Sequence, residues 1–422
     1  MFDKRRIQIN ISVWWMILIR CLIMLLFSGW AMAESKTERA IPAHLSQVEN
    51  NKLENRVIKI FAENCALAGC HTGTSPLMNL KLTKDEFLQR TVNHPSLERP
   101  GTMRIKPGEP ENSYLVKKIT GAADIVGQRM PFGRDPLTAD QIATIVGWIK
   151  SLKAADVANL EAPAPDPLQP FNAWKAVNIP TSRMIDKGNF LFLISHRFFP
   201  KMSSGYDTFY GLDGSAIIFL NMGYGITDRL FVNLGRSNSA DNVQLDLKYG
   251  LKQQYPGDKI PIAVAVQSSL NWLSEKKPGK SRLRSDALKY SFQAIFSSRL
   301  HEGVGLDVVP GILFNPDSET DGEDPVFTMG LAGSVHLWKS ISLIGEWDPI
   351  VTGYSPTSTF GELNRFDTWG GGIELSVGAH AFQIIITNSA GLTSDQYMRG
   401  GGLDIGEGDF RLGFNIFRPL QF

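Results

Sequence analysis

In "VQLDLKYGL", residues 243–251, every second side chain is apolar. Val243, Leu245, Leu247, Tyr249 and Leu251 point one way, and Gln244, Asp246, Lys248 and Gly250 the other. A period of two belongs to a β-strand, and it fixes which face of the strand meets which environment. The same alternation sets Leu288, Tyr290, Phe292, Ala294 and Phe296 against Lys289, Ser291, Gln293 and Ser297 in "ALKYSFQAIFS". It recurs in "DFRLGFNI", with Phe410, Leu412, Phe414 and Ile416 against Arg411, Gly413 and Asn415. Similar runs begin near Phe190, Ser215, Arg229, Ile260, Gly303, Val326, Ile341, Asp367 and Ala381, so about twelve strands fall between residues 188 and 418. Turn-rich or polar stretches such as "SEKKPGKSRLRS" and "NPDSETDGEDP" separate them. A soluble β-sandwich or a closed membrane barrel can satisfy this pattern. Here the polar face is rich in Gly, Ser, Asn, Gln and Thr instead of charge, aromatics gather near strand ends, and the chain closes on a strand-like segment ending in Phe422. These features predict an all-β antiparallel barrel in an outer membrane, with outer-membrane lipid against its apolar face.

The first part of the chain has the period of a helix. From about Val48 to Asn64, Leu53, Val57, Ile60 and Phe61 share one face. A short helix is opened by "PGEPENSYLVKKI", and "LTADQIATIVGWIKSL" is a longer one. In the latter Thr138 and Gln141 form a capping box, and Ile142, Ile145, Val146, Ile149 and Leu152 an apolar stripe. A small all-α domain is thus expected over residues 49–158. The prolines of "EAPAPDPLQP", residues 161–170, mark a linker over 159–182, and the barrel domain takes 183–422. Ahead of all this, Lys4, Arg5 and Arg6, a long apolar run and the small-x-small Ala31-Met32-Ala33 read as a signal peptide over residues 1–33. An uncleaved anchor over 11–33 is the alternative. Residues 34–48 are polar and expected to be disordered. With 43 basic against 42 acidic residues, charge gives no case for a nucleic-acid partner.

Cleavage after Ala33 removes Cys21 and leaves Cys65 and Cys70 as the cysteines of an exported chain. In "AENCALAGCHTGTS" the second cysteine is followed at once by His71. A c-type haem is held by two cysteine thioethers with the next histidine on the iron, usually with two residues between the cysteines. Here there are four, and the small Ala68 and Gly69 let the extra residues bulge. A Cys65–Cys70 disulfide is also feasible in that compartment, and zinc would need a further ligand such as His94. The remaining histidines, His44, His196, His301, His336 and His380, show no ligand spacing.

From about residue 57 to 153 the chain resembles the planctomycete-type cytochrome c domain: a helix ending in the haem motif, then "IKPGEPENSYLVKKI", then "RMPFG", then a last helix with "IVGWIKSL". That resemblance implies one covalently attached haem c, with His71 the proximal and Met130 the distal iron ligand; Met78 and Met103 are the rival methionines. Residues 185–420, with "ISHRFFP", "YGLDGSA", "GYGITDRL" and "LGRS", are similar to an uncharacterised family of bacterial outer-membrane β-barrels found beside or fused to redox domains. His196, Arg197, Asp213 and Arg236 are candidates for a polar lumen network.

The expectation is therefore an exported protein with its cytochrome domain in the periplasm and its barrel in the outer membrane. Its work would be electron transfer, with a redox protein or carrier as partner. No Ser/His/Asp set, paired-carboxylate motif or P-loop appears, so no enzyme is expected. The alternative is a channel or transport protein whose haem domain gates or senses redox state. A narrow lumen packed with side chains favours an anchor, and an open aqueous one favours transport.

Overall fold

A computed structural model of the chain describes residues 52–67, 70–73, 76–99, 101–153, 165–301, 303–316, 325–338, 340–353, 366–377 and 380–420. The expected signal peptide and the polar stretch 34–48 lie outside the described residues.

Among the described residues four α-helices come first: α1 (Lys52–Asn64), α2 (Phe87–Thr91), α3 (Tyr114–Thr120) and α4 (Ala139–Ser151). They enclose an apolar core that includes Val57, Phe61, Phe87, Ile105, Ile145 and Trp148. The Phe87 ring lies 5.9 Å from Phe61, edge-on, and 5.6 Å from Trp148. The capping box forms as the sequence predicts: the Gln141 N–H donates to Thr138 Oγ1 (3.2 Å), and the Thr138 N–H donates to Gln141 Oε1 (2.8 Å).

The alternating runs form β1 (Phe190–Phe198), β2 (Ala216–Thr227), β3 (Leu230–Ser237), β4 (Asn242–Lys252), β5 (Ala263–Leu273), β6 (Leu288–His301), β7 (Val304–Phe314), β8 (Val326–Trp338), β9 (Ile341–Asp348), β10 (Ile350–Thr352), β11 (Thr368–Val377), β12 (His380–Thr387) and β13 (Arg411–Leu420). β1 to β9 pair in chain order, β9 passes to β11, and β13 returns to β1 with Phe190 opposite Leu420. The three-residue β10 pairs with β8, so the other twelve strands make a closed antiparallel barrel. Closure leaves no unpaired edge, the condition for crossing a bilayer with strands.

The side chains are arranged inside out relative to a soluble protein. In β4, Gln244, Asp246 and Lys248 are at most 3% exposed, whereas Leu245 is 41% and Leu251 48% exposed. On β6, Ser291 and Gln293 are buried and Phe292 and Phe296 exposed. The apolar face therefore meets lipid and the polar face lines the lumen, as the alternation predicts. The two ends differ too. At the end holding Phe190 and Leu420, residues 228–229 join β2 to β3 and residues 253–262 join β4 to β5. At the other end residues 199–215, 274–287 and 388–410 are longer. Short turns on the periplasmic side and long loops outside are the usual polarity of such barrels.

Candidate functional site

The helical domain builds a cavity beside the cysteine motif. α1 carries Val57 and Phe61 into the core and ends at Asn64, so the chain turns at Cys65, whose N–H donates to Phe61 O (2.8 Å). The next residues fold into a tight loop. The His71 N–H reaches Cys65 O (3.2 Å), the Leu77 N–H reaches Cys70 O (2.8 Å), and the Leu82 N–H reaches His71 O (2.9 Å). His71 Nδ1 lies 3.1 Å from Leu80 O, so that nitrogen carries the proton and Nε2 keeps its lone pair. Burial lowers the His71 pKa and keeps the ring neutral, the form that binds a metal.

The cavity has a volume of about 150 Å³. Phe61, Cys65, His71, Leu82, Leu115 and Met130 line it. Met130 is set there by its N–H, which donates to the Lys118 carbonyl on α3 (2.9 Å). Of the rival methionines, Met78 also lines the cavity and Met103 does not. Cys70 belongs to the tight loop but is not on the cavity wall. Both cysteines are free thiols; burial, then the charge of Cys70, pushes the Cys65 thiol up to about 12. Among the described residues no three His, Cys, Asp or Glu side chains converge as a metal cluster. The donor set fits a haem: an apolar cavity joins a thiol, a neutral imidazole with a free Nε2, and a thioether.

The lumen is filled by the chain itself. Residues 171–187, expected to lie in a linker and the start of the barrel, run inside it as a tight hairpin. The Ala176 N–H donates to Ile179 O (2.9 Å) and the Thr181 N–H to Trp174 O (3.1 Å). At its tip, Glu346 Oε2 on β9 accepts the N–H groups of Val177 (3.0 Å), Asn178 (2.7 Å) and Ile179 (2.9 Å). Glu346 Oε1 accepts Asn178 Nδ2 (2.8 Å). Arg197 on β1 donates to Asn178 Oδ1 (3.0 Å) and to Asn415 Oδ1 (3.1 Å). Asn415 Nδ2 in turn donates to Val177 O (2.9 Å). The wall has glycine where the hairpin presses closest: a Cβ at Gly370 would lie 2.9 Å from Val177 Cγ1, and one at Gly330 3.0 Å from Ile179 Cδ1.

From the far end a second segment folds inward. Residues 389–400 are all buried and include α5 (Ser394–Tyr397). Asn242 Nδ2 donates to Asp395 Oδ1 (2.9 Å), Asn271 Nδ2 to Ser394 Oγ (2.8 Å), and Tyr397 Oη to Gln293 Oε1 (3.0 Å). The sequence carried one signal for this loop: Thr393 and Gln396 form a capping box in a polar stretch that otherwise reads as a surface connection. Nothing in local periodicity marks the hairpin.

Of the four expected lumen residues only Arg197 lies inside. In β1 the odd-numbered residues face inward, so His196 turns outward and stacks on Phe414 at 4.8 Å. Arg236 is exposed and paired with Asp241, and Asp213 is exposed in the long loop after β1. The four therefore form no network: the sheet's period of two separates neighbours onto opposite faces.

The profile of the "membrane bound beta barrel domain" family (DUF5777) matches residues 171–420. No curated protein matches the chain. Among solved structures the chain is similar to the NanC porin at 8% identity, covering 55% of this chain and 99% of that one, with a TM-score of 0.34. It is similar to an outer membrane channel from Pseudomonas putida F1 at 15% identity, covering 57% and 98%, with a TM-score of 0.33. For outer membrane phospholipase A from Escherichia coli the identity is 10%, the coverage 58% and 96%, and the TM-score 0.32.

Proposed function

The chain belongs to the membrane bound beta barrel domain family, and on that premise we propose that it is an outer-membrane channel closed by its own chain, whose helical domain carries a c-type haem that senses redox state. The observation that carries this reading is how the lumen is filled. A permanent anchor needs only wall side chains packed across the interior, whereas here a separate hairpin does much of the packing. It is fastened to the wall by hydrogen bonds to Glu346, Arg197 and Asn415. Such bonds contribute roughly 0.5–1.5 kcal/mol each net of water, or about 1.5–3 to a charged group, so a hairpin held this way can exchange its wall partners for water.

His71 through Nε2 and Met130 through sulfur would hold the iron, with Cys65 and Cys70 as the thioether donors. When bound, a His/Met haem supplies one-electron transfer at a raised potential with no open coordination position. The chain's own part is to keep the His71 ring neutral and oriented by Leu80 O and to surround the group with apolar side chains.

A second reading, an electron carrier merely anchored by the barrel, is favoured by the shared cavity of Cys65, His71 and Met130. A single haem cannot relay electrons across a hydrocarbon layer of about 30 Å, so that reading places its redox partner in the periplasm. Planar-bilayer recordings of the full-length protein separate the two. Glu346→Ala should raise the open fraction well above that of the parent protein; a barrel that stays silent after the hairpin is freed is an anchor. A haem-stained denaturing gel of outer-membrane fractions tests cofactor and location together, and Cys70→Ser should lose most of the stain.

A further inference from the structure

The hairpin that fills the lumen is gripped by the helical domain at both of its ends. On the way in, Asp166 Oδ1 lies 3.0 Å from an Arg90 guanidinium nitrogen and 3.8 Å from Lys81 Nζ. These side chains are only 5%, 17% and 15% exposed for Arg90, Lys81 and Asp166, so the pairing is shielded from solvent, unlike a surface ion pair of little consequence. Two residues on, the Leu168 N–H donates to Gln254 O (2.7 Å) in the connection between β4 and β5, which ties the chain to the barrel rim. On the way out, the Asp186 carboxylate packs on Gly73. That glycine has φ +84°, and a Cβ there would lie 2.9 Å from Asp186 Cγ.

Both grips connect to His71 by short paths. Lys81 stands between Leu80, whose carbonyl faces His71 Nδ1, and Leu82, whose N–H donates to His71 O. Gly73 is two residues beyond His71 in the same loop. A shift of the His71 loop therefore bears on residue 166 through Lys81 and on residue 186 through Gly73, with the hairpin strung between them.

We infer that Asp166 is a positioning residue: through Lys81 and Arg90 it makes the placement of the lumen hairpin depend on the loop that carries His71. The inference rests on the channel reading above and adds the physical link that a redox-sensing domain requires. Coupling of this kind needs an element with two arrangements that both sites bias, and the hairpin is that element.

The test uses the full-length protein in detergent micelles and in bilayers, with hydrogen exchange at Val177, Asn178 and Ile179 as the readout of hairpin placement. Asp166→Lys sets a cation against Lys81 and Arg90, and exchange at those amides should rise by about tenfold or more, as for a locally opened segment. Because Lys81 and Arg90 also pair with Glu86, at 2.8 and 3.1 Å, rescue is read from the conservative Asp166→Glu, which keeps a carboxylate for both cations and should hold exchange near the parental level. If Asp166→Lys fails to assemble, the isosteric Asp166→Asn is read the same way, and Gly73→Leu probes the second grip independently. Parental exchange in the Asp166 and Gly73 variants, alongside fast exchange in Glu346→Ala, overturns the coupling and leaves the channel standing. Fast exchange in Glu346→Ala with no conductance removes the channel, while the coupling is still judged by the exchange data.

Discussion

His71 gains its chemistry from the Leu80 carbonyl and from burial. The Leu80 carbonyl orients Nδ1, the surrounding apolar wall keeps the ring neutral, and Nε2 is the nitrogen left for a metal. The proposed haem motif leaves a spacing in the chain, because thioether attachment and iron ligation would demand contiguous residues. Leu80 was not legible, since a backbone carbonyl has no residue signature. Cys65 and Cys70 differ in the same local way. Cys65 is 8% exposed with its thiol near 12, while Cys70 sits partly exposed in the loop. In haem-free protein at pH 8, iodoacetamide should modify Cys70 at least about tenfold faster than Cys65, as mapped by mass spectrometry; equal rates would mean that the loop opens freely. Met130→Ala in the haem-loaded protein should let carbon monoxide bind readily. An unchanged spectrum would give the ligand role to Met78, which lines the same cavity.

At the scale of elements, the twelve long strands were legible because each must alternate to face lipid on one side and lumen on the other. Their lumen partners were not. "FNAWKAVNIPTS" has neither a strand nor a helix period, and Glu346, which holds its tip, lies 168 residues from Asn178. What decides that segment is a tertiary contact no local pattern encodes. Leu245→Arg, facing lipid, should cost about 2–4 kcal/mol in urea unfolding of the lipid-reconstituted protein. The lumen face is no more tolerant: Gln244 Oε1 accepts the Ser394 N–H (2.8 Å) and Gln293 Oε1 the Tyr397 hydroxyl (3.0 Å). An arginine at either site must push the inward loop aside, a consequence of the filled interior that alternation alone does not reveal. Glu346→Ala removes the acceptor of three hairpin N–H groups and should cost roughly 2–4 kcal/mol of local stability. Rapid proteolysis near residue 178 in the intact barrel is the expected sign, and a protected hairpin would show that Arg197 and Asn415 suffice.

For the whole molecule, closure of the sheet and burial of polar side chains inside it predict a protein that needs detergent and migrates differently on gels before and after boiling. Recovery of the full chain as a detergent-free soluble monomer would remove the membrane reading. The barrel closes where β13 meets β1, and that seam is also where Arg197 and Asn415 clasp the hairpin. The hairpin precedes β1 in the chain, while Asn415 arrives with the last strand to be made. The clasp on the hairpin is therefore complete only when the seam is closed, so barrel closure and hairpin fastening are one structural event.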